Sequence, residues 1–310
     1  MTEFRVRLFG KFSVERDSRI IGDIQARKVQ ELFSYLLIFR KHPQPREVIC
    51  EVLWENQPPS KAKKYLRQAL WRLQLALNNA ANSHKPEIVA DSDWIQISPS
   101  ASFRLDISEF EQVFNAFSDK DPRDLASKDF KTIRSAITLY RGDLLEGWSQ
   151  DWCLFERERF QVMHLTLLDK LVQYCEMHGH YSVGLAYGTD ILRHDHAYER
   201  THRQMMRLYC MAGDRTQALH QYRRCVTALR NELDIEPSES TKQLYEEIRS
   251  DTFDSSPPSG RKASHEIMEP AQTLTKMLSR LEQFSEELSK IRFRIEKEVK
   301  ALESKPSTPE

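Results

Sequence analysis

The chain has 310 residues, 40% of them hydrophobic and 30% charged, with 46 basic side chains balanced by 46 acidic ones. That length suits two domains, and the composition is that of a folded globular protein, not of a disordered or fibrous one. No stretch approaches the roughly 18 apolar residues a membrane-crossing helix needs, and MTEFRVRLFGKFSV lacks a secretory-signal layout, so the expected location is the cytoplasm.

The first 22 residues alternate. Phe4, Val6 and Leu8 share one side, and Phe12 and Val14 continue the pattern after Gly10, which predicts short strands joined by turns. From Ala26 the period becomes helical, with Leu32, Phe33, Leu36 and Leu37 on one face. His42-Pro43-Gln44-Pro45 breaks that helix, and Pro45 can open a second one with Val48, Ile49, Val52 and Leu53 as its apolar face. Pro58-Pro59-Ser60 follows, with Ser60 in the N-cap role. A third helix is expected over about Lys61–Leu77, its buried sector built from Ala62, Leu66, Ala69, Leu70, Leu73 and Leu77. Ile88, Trp94, Ile95 and Ile97 then flank a polar tip at Asp91-Ser92-Asp93, which reads as a hairpin. Strands, three helices and a hairpin make a winged helix-turn-helix over residues 1–103.

Residues 104–251 read as helices alone. Met177-His178-Gly179 recurs 34 residues later as Met211-Ala212-Gly213, and Gly184 and Leu185 align with Ala218 and Leu219. A 34-residue helical period with glycine between helices is the tetratricopeptide (TPR) spacing. Leu165, Leu168, Leu171 and Val172 form a core stripe. Residues 252–268 have linker composition. In the helix expected over 269–303, a heptad strip runs Ile267, Leu274, Leu281, Leu288, Ile295, Leu302. Leu278 belongs to a companion strip weakened by Ser285 and Arg292. The strip predicts a coiled-coil-like dimerisation seam or a helix folded back on the helical domain, with residues 304–310 as a disordered tail. The fold class is therefore an α+β winged helix-turn-helix, then an all-α TPR-like domain, then a C-terminal coiled-coil-like helix.

Charge is uneven along this layout. Residues 1–103 carry 16 Lys and Arg against 11 Asp and Glu, whereas residues 104–251 carry 20 against 25. Only the first third is suited to a polyanion. Between Pro58 and Leu77 there are five basic residues and no acid. Lys64, Gln68, Trp71 and Leu75 lie opposite the buried sector, flanked by Lys61 and Arg67, with Arg72 beyond. Such a face can enter a major groove about 12 Å wide. There Gln68 pairs with adenine, and Arg67 or Lys64 reaches guanine or phosphate. Trp71 either touches thymine methyls or sugar, or packs under the wing. Arg27 and Lys28, at the start of the first helix, suit a phosphate or plain solvation. Asp91 and Asp93 argue against base contacts by the wing tip.

RLFGKFSV, ARKVQELFSYLL and VLWENQPPSKAKKYLRQALWRLQLAL together resemble the DNA-binding domain of SARP-type bacterial activators, which is similar to the winged-helix output domain of response regulators. ITLYRGDLLEGW, DWCLFERERF, GDRTQALHQYRRC and LDIEPSESTKQLYEEI resemble the bacterial transcriptional activator domain that follows it. The resemblance covers about residues 4–250. It implies a recognition helix at 60–77 with Lys61, Lys64, Arg67 and Arg72 in its basic pattern. It further implies binding of double-stranded DNA at promoter direct repeats and recruitment of RNA polymerase. The acidic hairpin tip and the heptad tail depart from the family pattern. A homodimer joined by the tail is expected.

Other readings have less behind them. GxxxxGK[ST], GxGxxG, HExxH and GxSxG motifs are all lacking, so no enzyme, cofactor or metal is expected. His194, His196 and His202 are close in sequence, but surface or capping roles explain them. The five scattered cysteines, Cys50, Cys153, Cys175, Cys210 and Cys225, contain no CxxC pair and read as reduced thiols. The main rival function is a TPR-type protein-interaction scaffold whose winged helix does not bind DNA.

Overall fold

The computed structural model describes residues 4–16, 19–21, 24, 26–81 and 86–254. The tail positions Leu274, Leu278, Leu281, Leu288, Ile295 and Leu302, and the linker beyond residue 254, lie outside the described residues. Residues 4–254 fall within one compact unit.

Strands β1 (Phe4–Arg7) and β2 (Ser13–Arg16) pair antiparallel, with Val6 opposite Val14, and β3 (Arg19–Ile20) extends the sheet. The alternation read from the sequence places Phe4, Val6, Leu8 and Val14 in the core. Helices α1 (Arg27–Ile38) and α2 (Arg46–Leu53) follow, separated by the two-residue strand β4 (Gln44–Pro45). Helix α3 runs Pro59–Ala81, longer at both ends than expected. Ser60 is not its N-cap. The Pro58 carbonyl already accepts from the Lys61 and Ala62 amides, and Pro59 occupies the first helical position, where its missing N–H costs nothing.

Strands β5 (Ile88–Ala90) and β6 (Trp94–Ile97) form the expected hairpin, and β4 pairs with β6 to make the wing three-stranded. The buried sector of α3 is as read, with Ala62, Leu66, Ala69, Leu70, Leu73 and Leu77 inside, joined by Ala76. Each fully buried Leu contributes roughly 1.5–3 kcal/mol, so this sector holds α3 firmly and leaves its other side as surface.

The expectation of helices alone after residue 103 needs correcting. Strand β7 (Phe103–Leu105) lies parallel to β1, completing the order β3-β2-β1-β7. The partner that makes it a strand lies about a hundred residues earlier, beyond the reach of local periodicity. Helices α4 (Asp106–Phe117) and α5 (Ser127–Ile137) come next. The long α6 (Asp151–Met177) then leads into α7 (Tyr181–His194), α8 (Glu199–Met211), α9 (Arg215–Leu233) and α10 (Glu239–Arg249).

The 34-residue repeat appears as two helix pairs with matching turns. The His180 amide bonds the Cys175 carbonyl at 2.9 Å, and 34 positions on the Asp214 amide bonds the Tyr209 carbonyl at 2.8 Å. Gly179 and Gly213 take φ of +73° and +80°, the left-handed conformation that closes such a helix end. Gly184 faces Cys175 and Leu208 so closely that a Cβ would sit 3.0 Å from each. The α6–α7 and α8–α9 pairs are TPR-like. Leu168, Leu171 and Val172 are fully buried and Leu165 partly so.

Candidate nucleic-acid interface

On α3 the residues opposite the buried sector are open. Lys61, Lys64, Arg67, Gln68, Trp71 and Arg72 are all exposed. Trp71 is 62% exposed and therefore does not fill the space under the wing. Among the basic residues of α3, Lys63 pairs with Glu47 at 3.2 Å, while the Arg67 Nε reaches only the backbone carbonyl of Lys63 at 3.4 Å. A cleft of about 270 Å³ beside the helix is bounded by Lys28, Trp54, Tyr65, Gln68 and Arg72.

The wing tip is ordered by its own acid. Asp91 Oδ1 accepts from the Asp93 and Trp94 amides at 2.8 and 2.7 Å, and these bonds hold its carboxyl below the usual range. Arg46, at the start of α2, donates its Nε to the Asp91 carbonyl and its backbone amide to that of Asp93. Asp91 thus makes the turn between β5 and β6, an Asx-type role.

Arg27 and Lys28, expected to suit a phosphate or plain solvation, have ion-pair partners within the chain. Both are exposed, yet both turn onto Glu31, which is only 2% exposed, at 3.1 and 2.7 Å. Lys28 also donates to the Leu53 carbonyl at 2.6 Å, and the Arg27 guanidinium stacks 3.9 Å from the Trp148 ring centre. Gln150 donates to the same Glu31 at 2.9 Å. The spacing of Glu31 from Arg27 and Lys28, four and three residues, is the helical pairing distance. Glu31 thus pairs with both cations, and Lys28 also borders the cleft beside Gln68 and Arg72.

The first third is locked to the helical region by a polar clasp and an aromatic cluster. Buried Asp106 accepts from the Leu8, Phe9 and Ile107 amides at 2.8–3.0 Å; burial nevertheless pushes its carboxyl up to about 6. Residues 8–10 also exchange backbone hydrogen bonds with residues 143–146. Phe9 lies 4.8–5.3 Å from the rings of Phe110, Tyr140 and Phe160. Tyr140 in turn stacks on His164 at 4.1 Å, and burial, with the nearby His194, pushes the His164 imidazole down to about 3. Nothing in the chain-order reading singled out Asp106 or His164. An isolated Asp before a helix and a His in a Leu-rich helix carry no distinctive spacing.

Burial raises the pKa of all five thiols, and they stand apart as free cysteines. The clustered histidines have separate surroundings. His202 is buried between the His196 carbonyl and the Gln221 amide, each at 2.8 Å, while His196 faces Glu232 and His194 faces Gln161. No helix among the described residues is long and apolar enough to cross a membrane. An open groove of about 740 Å³ runs along α9, lined in part by His220, Arg223, Arg224 and Glu232.

A winged helix joined through a shared core to TPR-like helix pairs is the fold class defined here. Residues 105–249 match the family model described as the bacterial transcriptional activator domain. That match spans helices α4 to α10, the TPR-like pairs included. Among solved structures it is similar to Mycobacterium tuberculosis EmbR in complex with a low affinity phosphopeptide, with a TM-score of 0.63 at 19% identity. That likeness is one of fold, and it covers 82% of this chain and 66% of the EmbR chain. Comparison with curated proteins by sequence returns no match.

Proposed function

We propose that the chain is a sequence-specific, double-stranded-DNA-binding regulator that lays the outer face of α3 in the major groove. Lys61, Lys64, Arg67 and Arg72 neutralise phosphate or reach guanine. Gln68 pairs with an adenine edge, and Trp71 sits on the same face. The single observation that supports this most is the division of α3: one side is buried throughout, and the other presents cations with no acid along residues 58–77. The helical domain, with its open groove along α9, is the surface for a neighbouring protomer or RNA polymerase, and activation is the expected outcome. Arg27 and Lys28 act as structural charges in this reading, because Glu31 already occupies them.

The test is enrichment of duplexes from a random-sequence pool by the full chain, followed by affinity measurements with Lys64→Ala/Arg67→Ala. The double variant should lose at least about 30-fold in affinity, as two charge-assisted contacts imply. Its thermal midpoint should be unchanged, since both side chains are exposed. A protein-interaction scaffold that ignores DNA would enrich no sequence.

A further inference from the structure

We infer that Trp71 is the base-discriminating residue of α3 and that it reads the 5-methyl group of thymine beside an adenine held by Gln68. This rests on the reading of α3 as the DNA-facing helix. A tryptophan that is 62% exposed leaves a large apolar ring in water, and Leu75, one turn on, is 44% exposed on the same strip. Lys64, Gln68, Trp71 and Leu75 fall within about 60° of arc at 100° per residue, so they form one narrow ridge. The cations flanking that ridge favour a polyanionic surface as its cover.

The major groove offers few apolar features to such a ridge. The 5-methyl of thymine is the one an aromatic ring recognises among the four bases. Position supports the pairing. Gln68 precedes Trp71 by three residues, about 4.5 Å along the axis, against a base-pair rise of about 3.4 Å. A glutamine on adenine N6 and N7 therefore brings the indole over the same or the next base pair, where thymine projects its methyl. Leu75 lies about 6 Å beyond Trp71 and extends the apolar ridge toward a further step. The recognised class of site is a duplex with A·T pairs where Gln68 and Trp71 meet the groove, and 5-methylcytosine carries the same methyl group as thymine.

The experiment uses the full chain and the duplex enriched from the random pool. Each thymine of the enriched motif is replaced by uracil, which removes only the methyl group, and affinity is measured by fluorescence anisotropy for the wild type and Trp71→Ala. One or two positions should lose about fourfold in the wild type, the factor expected for one buried methyl. Trp71→Ala should bind more weakly and be indifferent to the same replacements, and 5-methylcytosine in place of cytosine at a neighbouring motif position should not rescue it. Trp71→Phe, which keeps an aromatic face, should retain part of the methyl effect, and circular dichroism should match the wild type for both variants. An enriched motif tolerant of uracil throughout, or an equal methyl effect in Trp71→Ala, overturns this inference alone. So does a Trp71→Ala variant with unchanged DNA affinity but altered oligomeric mass, because the ring would then cover protein. A pool that yields no enriched sequence removes the DNA-binding reading itself.

Discussion

Two basic clusters of the first third behave in opposite ways. At the start of α1, Arg27 and Lys28 are spent on Glu31, Trp148 and the Leu53 carbonyl, at the seam where the winged helix meets the helical region. On α3, Lys61, Lys64, Arg67 and Arg72 lie on an outer face without an acid of its own. In the sequence both are simply basic, and both are exposed. What separates them is a buried carboxylate: an ion kept from water demands partners, and it takes the nearest cations. The lesson is that net charge identifies a polyanion site only after internal pairing has been subtracted.

Substitution at the seam should cost the most stability. Arg27→Ala/Lys28→Ala leaves Glu31, among the described residues, with Gln150 as its hydrogen-bond partner, which should cost about 3 kcal/mol in urea unfolding. Adding Glu31→Gln should recover most of that loss, and DNA affinity of the folded protein should stay within about threefold. A double variant of normal stability with greatly weakened DNA binding would restore Arg27 and Lys28 as phosphate ligands.

Acid sharpens the same contrast with a smaller effect. The His164 imidazole is held neutral at about 3, below its ordinary 6.5, by burial. The unfolded chain takes up a proton below pH 6.5 and the folded one does not until about 3. Stability from this group is therefore complete above pH 6.5 and falls as pH drops through that window, by about 2 kcal/mol at pH 5. Buried His202 is shifted in the same direction and adds to the loss. Buried Asp106, raised to about 6, works in the opposite sense over the same range, so the His164 share is read as the difference between wild type and His164→Phe in urea titrations at pH 7.5 and pH 5.

Much of this architecture was legible because it is periodic. The α3 sector, the β5–β6 hairpin and the 34-residue repeat each follow a local rule of helix, strand or turn. The seam was not, because its partners are distant in sequence. RLFGKFSV and ITLYRGDLLEGW stood out as separate motifs, and only the fold brings Leu8 and Gly10 against residues 143–146. The parallel pairing of β7 with β1 and the Asp106 clasp are long-range in the same way. The outer face of α3 was readable residue by residue. The pairing of Arg27 and Lys28 with Glu31 was present in their spacing, but spacing alone cannot tell a buried Glu from a solvated one.

Outer-face cations of α3 that meet DNA phosphate make binding depend on salt. With Lys63 engaged by Glu47, four cations remain on this helix, so the logarithm of affinity should fall against the logarithm of salt with a slope of about −3.6. That is shallower than the −4.5 or so that all five basic residues would give. In Lys64→Ala/Arg67→Ala the slope should halve to about −1.8. A wild-type slope near zero, or one that the double variant leaves unchanged, would contradict the account.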